Sequence, residues 1–564
     1  MIVYFFLCFI ISFIFTIIGY VFILKTDKNG KYDFFDVFFI GICVVGAILN
    51  LWSLLLPTNK FSFFFLLFLS LFCLYLINKQ KSLKISSFYL KLKRYKSQTF
   101  QLLVILITII IVLFSSMVTP RLFDSHLYHI GAIQWNEMYN VVPGLGNFHD
   151  RFGFNSSFFV MSAAFTFSSF LNQSVYLLSS LVFLIFYLWL IKIAFEKKGI
   201  IAFLCVFYMY FFYEQYTLDI SSPGSDLLPN ILISFLLFKF LILNKNMKNQ
   251  YLILIIIPIF CVTLKLSMVP FLLFSLMALF YRHNKINAFK YLLLYGIIFI
   301  LPWIIRNIIL TGYLLYPFEG IDFFNFDWKV PVEKVQETKG WVYSWAKIPF
   351  YNYKEVLDKS FTDWFVIWWE MKDLKNRRLF SIALISPLLF IFALICNKNK
   401  FNKNIVLSYF ICYLSFVFWL FQAPDFRFSF SIILILNVFI IMIIFNYKIF
   451  QHKYIMHGIN IFMISTLLIL AEKSFILFSE DYNINIPKTY LFKPIDYKSY
   501  VKNCQAKFIK NKYYLKNNKE VILYGIDPIN ASRCFDAFPC SAYLNENIKL
   551  RGNSLNDGFK YEKK

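Results

Sequence analysis

Residues 101–131 read QLLVILITIIIVLFSSMVTPRLFDSHLYHIG, and the change of character within them decides the fold. The first eighteen carry no charge. As a helix they would extend about 27 Å at 1.5 Å per residue, close to the ~30 Å hydrocarbon thickness of a bilayer. The next thirteen hold Arg121, Asp124, His126 and His129. A segment suited to lipid is therefore followed, at the height where lipid ends, by a dense set of ionisable side chains.

The rest of the chain follows the same plan. Of 564 residues, 59% are hydrophobic, 21% aromatic and 15% charged, against about 25% charged in an ordinary soluble domain. Apolar runs fall near 4–24, 37–56, 61–77, 101–118, 174–192, 200–213, 227–243, 251–264, 267–281, 291–310, 380–396, 405–421, 428–446 and 458–477. The expectation is an all-α polytopic integral membrane protein of about 14 transmembrane helices. The N-terminal run has no basic leader and no small-residue cleavage site, so it reads as a retained first span. The net charge of +25 sits mostly in short loops between spans, with no zinc spacing or recognition-helix pattern. It sets topology and does not mark a nucleic-acid partner.

Loop 78–100 holds seven Lys or Arg and no acid, which places it in the cytoplasm. The segment 158–173, FFVMSAAFTFSSFLNQ, is long enough to count as another span. Counting it would throw the later lysine-rich loops outside, and its Ser, Thr and Asn suit an interfacial helix. Left on the membrane surface, it gives both termini outside. Asp124, His126, His129, Arg151, Glu214, Asp219, Asp226, Asp425 and Arg427 then share the outer face. A topological bias of acids toward the outside would also produce part of that grouping.

From Ser125 to Tyr139 apolar residues recur near helical spacing. Asp124 falls near the helix N-terminus, where the helix dipole favours a carboxylate. VVPGLGN (141–147) breaks the pattern, and a second amphipathic helix begins near Asn155. This arrangement of span, acid and two juxtamembrane helices resembles the first outer loop of GT-C glycosyltransferases, firmly over about 100–310. Across most of the chain it is similar to an uncharacterised family of bacterial polytopic membrane proteins sharing D-S-x-x-Y-H, P-G-L-x-N-x-H-x-R, RNIILTGYLLYPF (306–318) and APDFRF (423–428).

The resemblance implies a polyprenyl-phosphate-linked sugar donor and a glycan, lipid or protein acceptor, handled among membrane lipids at the outer face of a bacterial inner membrane. Asp124 is the expected base, with His129 and His126 beside it as catalytic candidates; a capping role for Asp124 is the competing reading. Tyr128, Arg151, Arg306, Asn307, Arg427 and Lys265 are the expected substrate contacts. Arg306 suits bidentate phosphate binding, though an arginine near a span end also snorkels to the interface. Asp425 offers Arg427 a local partner. Ser125 stands where a second acid accompanies the GT-C aspartate, so no cofactor is required, and a divalent metal on the loop histidines stays an alternative. A polysaccharide polymerase or ligase, and a lipid-linked-glycan flippase, are the rival activities.

The expected divisions are N-terminal helices (1–100), a core (101–310) with its catalytic outer loop 119–173, an aromatic-rich outer loop (311–379), C-terminal helices (380–477) and a small α/β extracytoplasmic tail (478–564). The six tryptophans of 311–379 suit an interfacial belt slightly better than glycan stacking. Cys534 and Cys540, in CFDAFPC, are spaced to pair at an oxidising face; seven of the ten cysteines lie in apolar runs.

Overall fold

The computed structural model describes residues 1–27, 30–79, 99–281, 285–396, 401–445, 453–482, 508–514, 520–526, 538–541 and 547–562. Most of the basic loop 78–100 and Cys534 lie outside them. Among the described residues, eleven helices are long and apolar enough to cross a membrane, and the chain is a helical multi-pass membrane protein. They are α1 (Ile2–Thr26), α2 (Phe34–Trp52), α3 (Lys60–Lys79), α5 (Leu178–Lys197), α6 (Gly199–Tyr216), α8 (Tyr251–Leu264, lengthened to a span by the 3-10 turn Met247–Gln250 before it), α10 (Lys285–Thr311), α11 (Leu374–Cys396), α12 (Lys403–Gln422), α13 (Phe426–Ile444) and α14 (Lys453–Tyr482). Three shorter apolar helices interleave with them: α4 (Thr99–Ser115), α7 (Leu227–Leu237, continued by a π turn over Phe238–Ile242) and α9 (Leu272–Tyr281).

Burial sorts these helices by position. Every residue of α7 and α8 is buried, as expected of helices that are apolar all round and sit centrally. On α3, Phe64, Phe68, Leu71 and Phe72 are exposed at spacings of one, three and four, and Leu102, Leu103, Leu106 and Ile110 do the same on α4. Such stripes on a multi-pass chain face hydrocarbon, where only helices that satisfy their own backbone survive.

Close packing between spans uses small residues. A Cβ on Gly41 of α2 would lie 1.8 Å from the Phe15 carbonyl oxygen of α1, and one on Gly19 would lie 2.2 Å from that of Val37. At the far end of the bundle from Asp124, Asp36 of α2 and Lys239 in the π turn after α7 form a buried ion pair, and Lys192 reaches Asp33 at 3.2 Å.

The segment 158–173 is neither a span nor a surface helix. It forms Ser157–Ala164 and Ser168–Leu171, broken where Phe167 takes φ 53°. All eight residues of the first piece are buried, against α2 and the helix Ile130–Met138. Its small residues explain the difference: Ser157 Oγ accepts from Asn50 Nδ2 of α2 at 2.7 Å, which a bulkier face would prevent.

Loop 311–379 folds into helices Val332–Lys347, Tyr353–Leu357 and Phe361–Glu370. Trp364 and Trp368 are buried in it, so these two serve packing and not a belt. The final helix runs to Tyr482, past the expected boundary at 478. The described tail contains strands and one 3-10 turn but no α-helix. Strands β1 (Phe508–Tyr514), β2 (Glu520–Ile526) and β3 (Cys540–Ser541) form one sheet, antiparallel then parallel, while β4 (Ile548–Leu550) pairs antiparallel with β5 (Phe559–Tyr561). The tail docks on 135–148 and 327–328. Phe559 N donates to Pro143 O at 2.9 Å, its ring stacks on Phe148 at 5.0 Å, and Arg551 grips Asp327 through two bonds of 2.9 and 3.0 Å.

Two outcomes follow from this packing. Gly41→Ala forces α1 and α2 apart and should cost about 1–3 kcal/mol, read as a lower thermal midpoint in detergent. Cysteines replacing exposed Gln336 and Ser554 should label from the same side of sealed vesicles, and one replacing Lys197 from the other.

Candidate active site

The helix carrying the opening motif begins at residue 123, so Asp124 lies in its first turn, and Ser125–His129 form a π turn that continues into Ile130–Met138. Single π turns inside α-helices often accompany functional sites. The Asp124 side chain makes no capping bond, which removes the capping reading. Its carboxylate is committed elsewhere: Oδ2 accepts from Arg427 Nη1 at 2.8 Å, and Oδ1 lies 3.5 Å from Arg151 Nη1.

Each arginine is delivered by local backbone chemistry. Gly144, at φ 64°, turns the chain into Leu145–Phe148; a Cβ there would strike Phe559 O at 2.1 Å. A 3-10 turn over Asp150–Gly153 follows, with His149 Nδ1 accepting from Arg151 N at 3.1 Å, and the Arg151 guanidinium lies over the Tyr128 ring at 5.6 Å. Arg427 stands in the first turn of α13, where Asp425 caps the helix by accepting from Arg427 N at 3.1 Å and also takes Nε at 3.0 Å. The indole N–H groups of Trp368 and Trp419 donate to Pro424 O and Asp425 O, both at 2.8 Å.

A kink at Ser429 (φ −147°) frees carbonyls of that turn, and Arg427 O receives Tyr216 OH at 2.9 Å and Asn230 Nδ2 at 3.2 Å. Lys265, extended at the end of α8, pairs with Asp226 and sits 3.4 Å over the Phe428 ring. Arg427 Nε is 3.9 Å from Asp226 as well. Buried Asp219 interacts electrostatically with Asp226, Arg427, Lys265 and Asp124. Three cations and four carboxylates thus meet from six chain segments.

Burial pushes the Asp124 carboxyl up, but the adjoining Arg427 and Arg151 outweigh it and hold the group below the usual carboxylate range. His129 is buried against Phe159 and Tyr128, and burial lowers it to about 4 despite Asp124 pulling the other way. It is neutral at physiological pH. Burial likewise lowers Lys265, with Asp226 opposing. Among the described residues no group of three or more His, Cys, Asp or Glu is arranged to hold a metal ion.

A family model described as a domain of unknown function (DUF8201) matches residues 1–434, which include all seven of these charged residues. The chain belongs to the DUF8201 family. No curated protein and no solved structure matches it.

Of the residues expected from sequence, this DUF8201 chain brings together Asp124, Tyr128, His129, Arg151, Lys265 and Arg427. His126 is half-buried on the π turn. Arg306 and Asn307 hydrogen-bond elsewhere. Arg306 is buried among Asn155, Ser53 and Asn136, so it does not snorkel to lipid, and Asn307 Nδ2 donates to Leu314 O at 2.9 Å, fastening the turn after α10. Sequence reasoning noticed Asp226 without assigning it to the site; its place immediately before α7 was the available signal. Nothing in sequence pointed to Trp368 and Trp419 as supports for the APDF turn.

His129 gives a pH prediction. Its folded value is depressed from 6.5 to about 4, so between those limits the unfolded chain binds the extra proton and stability must fall as pH falls. The thermal midpoint should drop on acidification from pH 6.5 toward 4, and less steeply in His129→Gln, measured by differential scanning fluorimetry.

Proposed function

We propose that this DUF8201 chain is a GT-C-like glycosyltransferase of a bacterial inner membrane. In this reading it spans the bilayer fourteen times and works at the outer face, moving a sugar from a polyprenyl-phosphate donor to an envelope glycan, lipid or protein. One observation carries it: Arg151 and Arg427 converge on Asp124, just beyond a charge-free helix, with Lys265 joined to Arg427 through Asp226. Cations that close can take the departing phosphate, and the acid can take a proton. A disulfide at Cys540 supports an oxidising surroundings for the tail, whose docking places it beside the loop 141–148.

The electrostatics suggest how the two roles connect. Without substrate, the arginines keep Asp124 ionised but weakly basic. A donor phosphate competes for the same guanidinium groups. As they turn toward it, Asp124 loses the charges that depress its pKa and becomes a stronger base. The acceptor hydroxyl gives its proton to Asp124 while its oxygen bonds to the sugar's anomeric carbon. The bond from that carbon to the phosphate oxygen breaks, and the electron pair leaves with the phosphate held by Arg427 and Arg151. Neutral His129 and Tyr128 line the acid's other side and limit water.

Asp124→Asn keeps shape and removes the base. With matched donor and equally folded protein, sugar transfer should fall by about 10²–10⁴-fold. Wild-type transfer by the Asn variant would remove Asp124 as the base.

A further inference from the structure

A second charged feature lies apart from the Asp124 network in its bonding and differs in its charge balance. A small, partly open cleft is lined by Trp135, Asn136, Asn140, Asn155, Ser156 and Arg306, among others. Arg306 is 3% exposed. Its Nε donates to Asn155 Oδ1 at 2.9 Å, Nη1 to Ser53 Oγ at 2.6 Å and Nη2 to Asn136 Oδ1 at 2.8 Å. All three acceptors are neutral, and no ion pair among the described residues involves Arg306. The contrast with Arg427, which meets three carboxylates, is complete.

The acceptors are themselves fixed. Asn155 Nδ2 donates to Trp303 O, Asn136 Nδ2 to Ala132 O and Ser53 Oγ to Asn50 O, at 2.8, 2.8 and 2.7 Å. These bonds orient each acceptor toward the guanidinium and hold it against α2, the 130–138 helix and the 150–155 turn. A guanidinium has five N–H groups, and three are used here. A buried charge with neutral partners is costly unless an opposite charge joins it. The cleft therefore carries net positive charge, an oriented donor and side-chain amides, bounded by aromatic walls.

We propose that this cleft binds an oxyanion, a carboxylate or phosphate group, received by the two remaining Arg306 N–H groups. The inference does not require the transferase reading: the cleft is uncompensated whether or not Asp124 is a base. If that reading holds, the cleft takes an anionic group of the substrate other than the phosphate at Arg427.

The test uses the purified full chain in neutral detergent, with the thermal midpoint as readout at constant ionic strength. The probes are sodium phosphate, sodium acetate and short-chain phosphatidic acid, each against chloride. At about ten times its dissociation constant, a probe should raise the wild-type midpoint by ~1 °C. A response to phosphate or acetate identifies a soluble anion, and a response to phosphatidic acid alone identifies a lipid headgroup. Arg306→Gln should abolish the response, and Lys354→Gln, on the exposed surface, should keep it. Asn136→Asp supplies the missing charge from within: it should raise the midpoint in anion-free buffer and suppress the probe response, which keeps the test decisive if Arg306→Gln does not fold. A wild type insensitive to all three probes, or an Asn136→Asp protein that responds like wild type, overturns the proposal.

Discussion

Arg427 is the interaction around which the candidate site is organised. One guanidinium and its backbone N–H tie the start of α13 to Asp425, the π-turn helix to α13 through Asp124, and the start of α7 to both through Asp226. Charge-assisted bonds of this kind are roughly twice as strong as neutral ones, and the arginine fork makes them directional. Replacing it with lysine would keep the charge but lose the fork. Three loops that are remote in sequence are therefore registered to one another by a single planar group.

That registration is compatible with a membrane because irregular backbone is confined to places where side chains can answer it. The break at Ser429 leaves carbonyls that Tyr216 and Asn230 take up. The two π turns of the described chain both carry ionisable side chains, His126 and His129 in one and Lys239 in the other. Regular helices present hydrocarbon to lipid, while distorted turns are held inside the protein, as the low dielectric of a bilayer demands.

The multi-pass helical character was legible because a run of eighteen uncharged residues has few other uses. Asp124, Arg151, Lys265 and Arg427 were legible because charge at the end of such runs is conspicuous. The pairings among them were not, since Asp124 and Arg427 are separated by hundreds of residues and no local period links them. The segment 158–173 misled for a physical reason: serine, which with Thr and Asn suggested an interfacial helix, is also small enough to let helices pack closely. Arg306 showed the same ambiguity. Apart from Asn307 its neighbours in sequence are apolar, whereas the two amides and the hydroxyl that surround it come from three other segments.

The docking of the tail has a consequence for the order in which the molecule is completed. Phe559 follows Phe148 by more than four hundred residues, yet it stacks on Phe148 and hydrogen-bonds to Pro143, in the segment that leads to Arg151. The aromatic floor formed by Trp135 and Phe148 stays uncovered while more than four hundred further residues emerge from the ribosome. A nascent chain halted before Phe559 leaves the helices inserted but that floor bare. The turn beneath Arg151 thus reaches its finished contacts only once Phe559 has been made.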